Sequence, residues 1–124
     1  MGENPKRSNG RPYDLEERTF LFAKEIRSFV KQLSRTVANL EDSKQLVRSS
    51  GSVGANYIEA NESVSKKDFL LRIKTCRKES KESVYWLRLL DCGTNSALEK
   101  ERNRLATEAG ELMNIFGAIL RKSE

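Results

Sequence analysis

The side chains able to do chemistry in this sequence are few, and their spacing argues against catalysis. Its 124 residues include no histidine. There is therefore no imidazole base or ligand, and the Glu-x-x-His pairs by which helical bundles hold di-iron centres are absent. Cys76 and Cys92 stand sixteen positions apart without a Cys-x-x-Cys, too few ligands for a structural zinc site. They read as reduced thiols packed in an interior. Ser80 and Ser83 have no plausible base beside them and read as small packing residues rather than nucleophiles. Glu59 and Glu62 form an acid pair in spacing only, explained more simply by a helix end. No catalytic residue, metal ligand, cofactor or small-molecule substrate is assigned.

Positive charge gives a more specific signal. The chain carries 23 Lys and Arg against 18 Asp and Glu, a net charge of +5. Lys66 to Lys81 holds seven basic and two acidic residues, so this one segment carries the whole excess. Lys67, Lys74, Lys81 and Arg88 recur every seven residues, with Lys78 one turn from both Lys74 and Lys81. On a helix this spacing makes a straight outward stripe roughly 30 Å long. Such a stripe suits a phosphate backbone, giving affinity and salt dependence with little base readout. The alternative is a solvated lysine face, partly neutralised by Glu79 and Glu82. Only Tyr85 lies near the stripe, so a base-stacking platform is not expected.

A stretch rich in glycine and serine, "RSSGSVGANYIEAN" (48–61), raises a different possibility. A phosphate loop needs GxxxxGK[ST] after a strand, and both the lysine and the strand are missing. Ser50, Gly51 and Gly54 are read instead as a helix surface pared down for a close neighbour. Each glycine costs about 1 kcal/mol relative to alanine in a helix, and close dispersion contacts can offset that.

These groups must be positioned by helices. The two prolines, Pro5 and Pro12, lie in the first dozen residues, so nothing later forbids long helices. Asp14…Glu17, Asp42…Gln45, Ser65…Asp68 and Ser96…Glu99 are capping pairs ahead of apolar-periodic segments. They predict helices over 15–36, 43–61, 66–91 and 97–122, with Asn61 and Gly93 as left-handed stops. Phe69, Ile73, Cys76, Ser80, Ser83, Leu87 and Leu90 form a heptad seam on the third helix. Leu98, Leu105, Ala109, Leu112, Phe116 and Ile119 do so on the fourth, with Arg102 as a polar break. The first offers Thr19, Phe22, Ile26, Phe29, Val30, Leu33 and Val37, and the second Leu46, Ser50, Val53 and Tyr57. Long helices with short connections predict an all-α, up-down antiparallel four-helix bundle over 14–124. Residues 1–13, with Lys6, Arg7 and Arg11, read as a flexible basic arm.

Some apolar residues are left over. Leu71, Tyr85 and Leu89 fall outside the third seam, Phe20 and Leu21 flank Phe22, and Trp86 stands between two faces. A four-helix monomer buries one stripe per helix, so the surplus predicts an oligomer interface. No apolar run reaches the roughly 20 residues that span a bilayer. No signal-peptide core is visible, and Lys6 spoils a myristoylation signal. A cytoplasmic location is expected.

"QLVRSSGSVGANYIEAN" (45–61) resembles the signature of the bacterial four-helix-bundle proteins encoded in ribosomal-RNA intervening sequences. Gln45, Arg48, Ser49, Ser50, Val53, Asn56, Ile58 and Glu59 match, while Ala60 replaces the family's glycine. "KESKESVYWLRLL" (78–90) is similar to its later segment through Glu82, Ser83, Trp86 and Leu87. The resemblance implies a bundle assembling as a ring-like homopentamer. It also implies kinship with accessory proteins of diversity-generating retroelements, which bind nucleic acid and a reverse transcriptase. It implies no chemical role for Asn56 or Glu59. The expected function is a non-catalytic, homo-oligomeric accessory protein binding RNA or DNA through the third helix. A protein-binding adaptor module is the alternative.

Overall fold

The computed structural model describes residues 14–124, so the expected arm at 1–13 lies outside the described residues. Four helices follow in order: α1 (Leu15–Val30), α2 (Val37–Asn61), α3 (Lys66–Leu89) and α4 (Ser96–Ser123). Each packs on its chain neighbours and α4 closes back on α1, while α1 and α3 do not meet. This is the all-α antiparallel four-helix bundle, with α1 and α3 diagonally opposed.

Two of the expected starts are correct. Asp14 accepts from the Glu16 amide at 2.9 Å, and Ser65 Oγ accepts from the Asp68 amide at 3.1 Å. The other two move. Asn95, not Ser96, caps α4, accepting from the Leu98 amide at 3.0 Å. Thr36, not Asp42, caps α2, accepting from the Asn39 amide at 3.1 Å. Asp42 is therefore inside α2, and the first helix stops at Val30 rather than 36. Val37, expected in the first seam, opens α2 and is 81% exposed. The reason is tertiary. Asn39 is buried and donates through Nδ2 to the carbonyls of Ser34 at 3.0 Å and Asp91 at 2.9 Å. Its Oδ1 accepts from the Asp91 amide at 3.0 Å. One side chain thus ties the α1–α2 loop to the α3–α4 loop.

The helix stops also differ. Glu62 ends α2 at φ −103°, so neither Asn61 nor a glycine at position 60 is needed as a left-handed cap, and Ala60 is simply buried. Leu90 ends α3 in an extended conformation. Gly93, at φ 63°, turns the chain three residues later, its amide donating to Asp91 Oδ1 at 2.8 Å.

The core follows the seams. Phe22, Ile26, Phe29, Leu46, Val53, Ile73, Leu87, Leu105, Leu112 and Phe116 are all buried. Phe69, Val30 and Tyr57 are half-buried at the margin. Late in α4 the stripe passes from Ile119 to Leu120, the drift expected of a straight helix against a strict heptad. Between α2 and α3 the core is built of small hydroxyl residues. Ser49 Oγ and Ser83 Oγ share a hydrogen bond of 2.9 Å. Ser83 and Ser80 also donate to the carbonyls of Glu79 and Cys76, each at 2.9 Å. Every buried hydroxyl here has a partner, which is what burial demands. Across α1 and α2 the approach is closer still. A Cβ on Gly54 would lie 2.9 Å from Thr19 Oγ1 and 3.3 Å from Thr19 Cβ.

Candidate nucleic-acid interface

Two groups of cations stand out among the described residues. Arg18 holds Glu108 and Glu111 at 2.8 Å, and Arg104 joins Glu25 at 3.0 Å to Glu101 at 2.8 Å, both across α1 and α4. Arg104 holds the Glu101 carboxyl below its ordinary range through these hydrogen bonds. Arg48 reaches from α2 to Glu79 at 3.5 Å and Glu82 at 3.2 Å on α3. These pairs knit helices together.

Lys67, Lys74, Lys78, Lys81 and Arg88 form the second group. All five are exposed, and none has an ion pair among the described residues. The acids expected to neutralise them face elsewhere. Glu79 is buried toward α2, and Glu82 is engaged by the same Arg48. Arg72, another α3 cation, also turns to α2 and donates to Asn56 Oδ1 at 3.0 Å. Asn56 thereby acquires a structural partner, and its Nδ2 donates to Ser52. The five stripe cations on the outward face of α3 are therefore left without a neutralising partner among the described residues.

The stripe is not straight. Heptad positions on an α-helix drift by about 20° per repeat, so from Lys67 to Arg88 the cations wind round α3 toward α4. Arg88 lines a small recess with Arg102 and Asn103 of α4. Two to three turns closer to the middle, Arg77, Lys78 and Lys81 border a larger cleft whose far wall is α4. Arg77 and the α4 wall escaped the sequence reading. Arg121 is more than forty residues from Arg77 in the chain, and only antiparallel pairing of α3 with α4 joins them. No local pattern could have found it.

Of the expected interface residues, Leu71, Tyr85, Leu89, Phe20 and Leu21 are exposed. Trp86 is half-buried, edge-on to Tyr85 at 5.0 Å, and its Nε1 is buried without a partner among the described residues. Leu71, Lys78 and Tyr85 succeed one another at heptad steps, so Lys78 stands within the apolar line rather than beside it. Lys24 lies 5.7 Å over the Phe20 ring, partly shielding it.

Burial pushes the Cys76 thiol up to about 12, and burial also raises Cys92, so neither supplies a ready thiolate. No cluster of three potential metal ligands exists among the described residues. No helix among them is long and apolar enough to cross a membrane.

Fold and charge layout define a small antiparallel helical bundle with interhelical ion pairs on some faces and unpaired cations along α3. The chain belongs to the 23S rRNA-intervening sequence protein family, whose profile matches residues 13–118. A solved structure, a protein of unknown function from the S23 ribosomal protein family of Bacteroides thetaiotaomicron VPI-5482, is similar to it. The two share 26% identity with a TM-score of 0.72, over 86% of this chain and 98% of the other. No curated protein matches the chain.

Proposed function

We propose that this protein is a non-catalytic, homo-oligomeric accessory factor that binds the backbone of RNA or DNA through the outward face of α3. The supporting observation is the segregation of charge: Lys67, Lys74, Lys78, Lys81 and Arg88 are exposed and unneutralised, while Glu79 and Glu82 are turned to α2. An array of ammonium and guanidinium groups on a rigid helix attracts phosphates without reading bases. One subunit offers few contacts. A ring of copies, as the family resemblance implies, multiplies them where one strand reaches several stripes. A reverse transcriptase is a possible protein partner on the same resemblance.

The test reverses Lys74, Lys78 and Lys81 to glutamate and measures binding to fluorescein-labelled RNA and DNA by anisotropy across salt concentrations. Wild type is expected to bind with a steep inverse dependence on salt, and the triple variant to lose binding with helicity unchanged. Equal affinity in the variant removes this surface from consideration. A protein partner retained after nuclease and moderate salt, with no nucleic-acid affinity, favours the adaptor function instead.

A further inference from the structure

The stripe on α3 leads into a cleft of about 570 Å³ between α3 and α4. Arg77, Lys78 and Lys81 form one wall. The other, from α4, consists of Met113, Asn114, Gly117 and Arg121. Four cations therefore face one opening that no carboxylate lines. Three acids of α4 are drawn to the α1 side, Glu101 by Arg104 and Glu108 and Glu111 by Arg18, while Glu99 pairs with Arg102.

Gly117 sets the shape. A Cβ there would meet Arg121 Nη1 at 3.5 Å and Arg77 Cδ at 3.8 Å, so the two arginines close over the glycine from opposite helices. Neither has a hydrogen bond or ion pair among the described residues. Arg121 in the last turn of α4 complements the helix dipole, which accounts for a cation there. It does not account for the convergence of Arg121 with Arg77, Lys78 and Lys81. Like charges brought together in a concave site repel one another, and a bound anion relieves that repulsion.

We infer that this cleft is a trough for the phosphodiester backbone of a single nucleic-acid strand, with Arg77 and Arg121 clamping phosphate from its two walls. This rests on the nucleic-acid reading above and moves the principal contact from the crest of α3 into the α3–α4 junction. Packed helices about 8–10 Å apart axis to axis leave no gap between them, so the strand lies in the surface groove above their contact line, where about 570 Å³ takes a short stretch of one backbone and is small beside a duplex. Guanidinium groups suit phosphate because their planar forks donate in pairs. Met113 provides an apolar wall and Asn114 an amide. With no aromatic ring in the trough, bases have no stacking platform there and point outward, so sequence preference is weak.

Three variants of the full chain separate crest from cleft: Arg77→Gln with Arg121→Gln, Lys67→Gln with Lys74→Gln, and Gly117→Leu. The last fills the trough without changing charge, and Gly117→Ala, which makes only ordinary contacts, is its control. The probe is a labelled twelve-nucleotide single-stranded RNA, compared with an RNA duplex of equal length. The arginine pair is expected to weaken single-strand binding about tenfold or more and to lower the salt slope by about 1.4, two phosphates at about 0.7 each. Gly117→Leu weakens it as well, Gly117→Ala does not, and duplex binds less well than single strand. Circular dichroism checks folding, and the arginine pair carries the test if Gly117→Leu misfolds. Wild-type affinity in the arginine pair, with loss confined to the lysine pair, overturns the trough and leaves the α3 crest standing. Absence of any RNA or DNA binding by the wild type overturns both.

Discussion

At the scale of single residues, the glycines and serines of α2 do different jobs from those their types alone suggest. Gly54 lies against Thr19, whose Oγ1 is pinned by donation to the Leu15 carbonyl at 2.8 Å and shared with that of Glu16 at 3.1 Å. The hydroxyl therefore cannot swing away from an added methyl. Gly51 faces the end of the flexible Arg27 side chain, 3.1 Å from where its Cβ would be, and tolerates more. Replacing Gly54 with alanine gains about 1 kcal/mol of helix propensity but overpacks a fixed contact, a change that costs about 1–3 kcal/mol. Gly54→Val is expected to lower stability by about 1–3 kcal/mol. Combining Gly54→Ala with Thr19→Ala, which removes the obstructing hydroxyl, is expected to restore what Gly54→Ala loses. Urea melts of the two singles and the double measure the coupling. Additive effects at these two positions would show that the helices separate freely here.

At the scale of elements, the α1–α2 connection is decided by one buried amide. Asn39 satisfies two carbonyls and one amide in the α1–α2 and α3–α4 loops, which are far apart in the sequence. Asn39→Leu removes the partner of all three part-buried groups, and an unmet group costs up to about 1–3 kcal/mol where water cannot replace the bond. Asn39→Asp keeps the shape but loses both Nδ2 hydrogen bonds and puts oxygen against the carbonyls of Ser34 and Asp91. Both variants are expected to shift the urea midpoint downward with little change in slope. A midpoint equal to wild type in Asn39→Asp would mean the loops are held by packing alone. The four starts were legible to very different degrees. Asp14 and Ser65 were evident because capping is a local hydrogen bond. Thr36 was missed because the seam of α1 continues in register through Leu33 to Val37, and only Asn39, reaching fifty-two residues to Asp91, shows that the chain turns between them.

At the scale of the molecule, diagonal placement of α1 and α3 puts the exposed Phe20 and Leu21 on one side of the bundle and Leu71, Tyr85 and Leu89 on the other. Two unlike apolar patches on opposite sides fit a head-to-tail contact, which closes as a ring when the rotation permits. Light scattering at micromolar concentration is expected to give a mass several times 14.2 kDa. Leu71→Lys with Leu89→Lys spoils one patch, and Phe20→Lys with Leu21→Lys spoils the other. Each variant alone should be monomeric, and mixing the two should give a heterodimer through the pair of patches left intact. A monomeric wild type would remove the ring and its gain in avidity. Lys78, set within the Leu71 and Tyr85 line, is the stripe cation nearest this contact and the most readily covered by it.

Periodicity, capping and charge spacing determined from sequence alone that this chain is a four-helix bundle, which residues build most of its core, and where its excess charge lies. Those properties depend on repeats within one helix or on hydrogen bonds a few residues long, so they are written locally. Tertiary structure alone decided where the acids of α3 turn, which arginine of α4 meets Arg77 across the cleft, and where α1 gives way to α2. Each of these is set by partners dozens of residues away, brought together only when the helices pack.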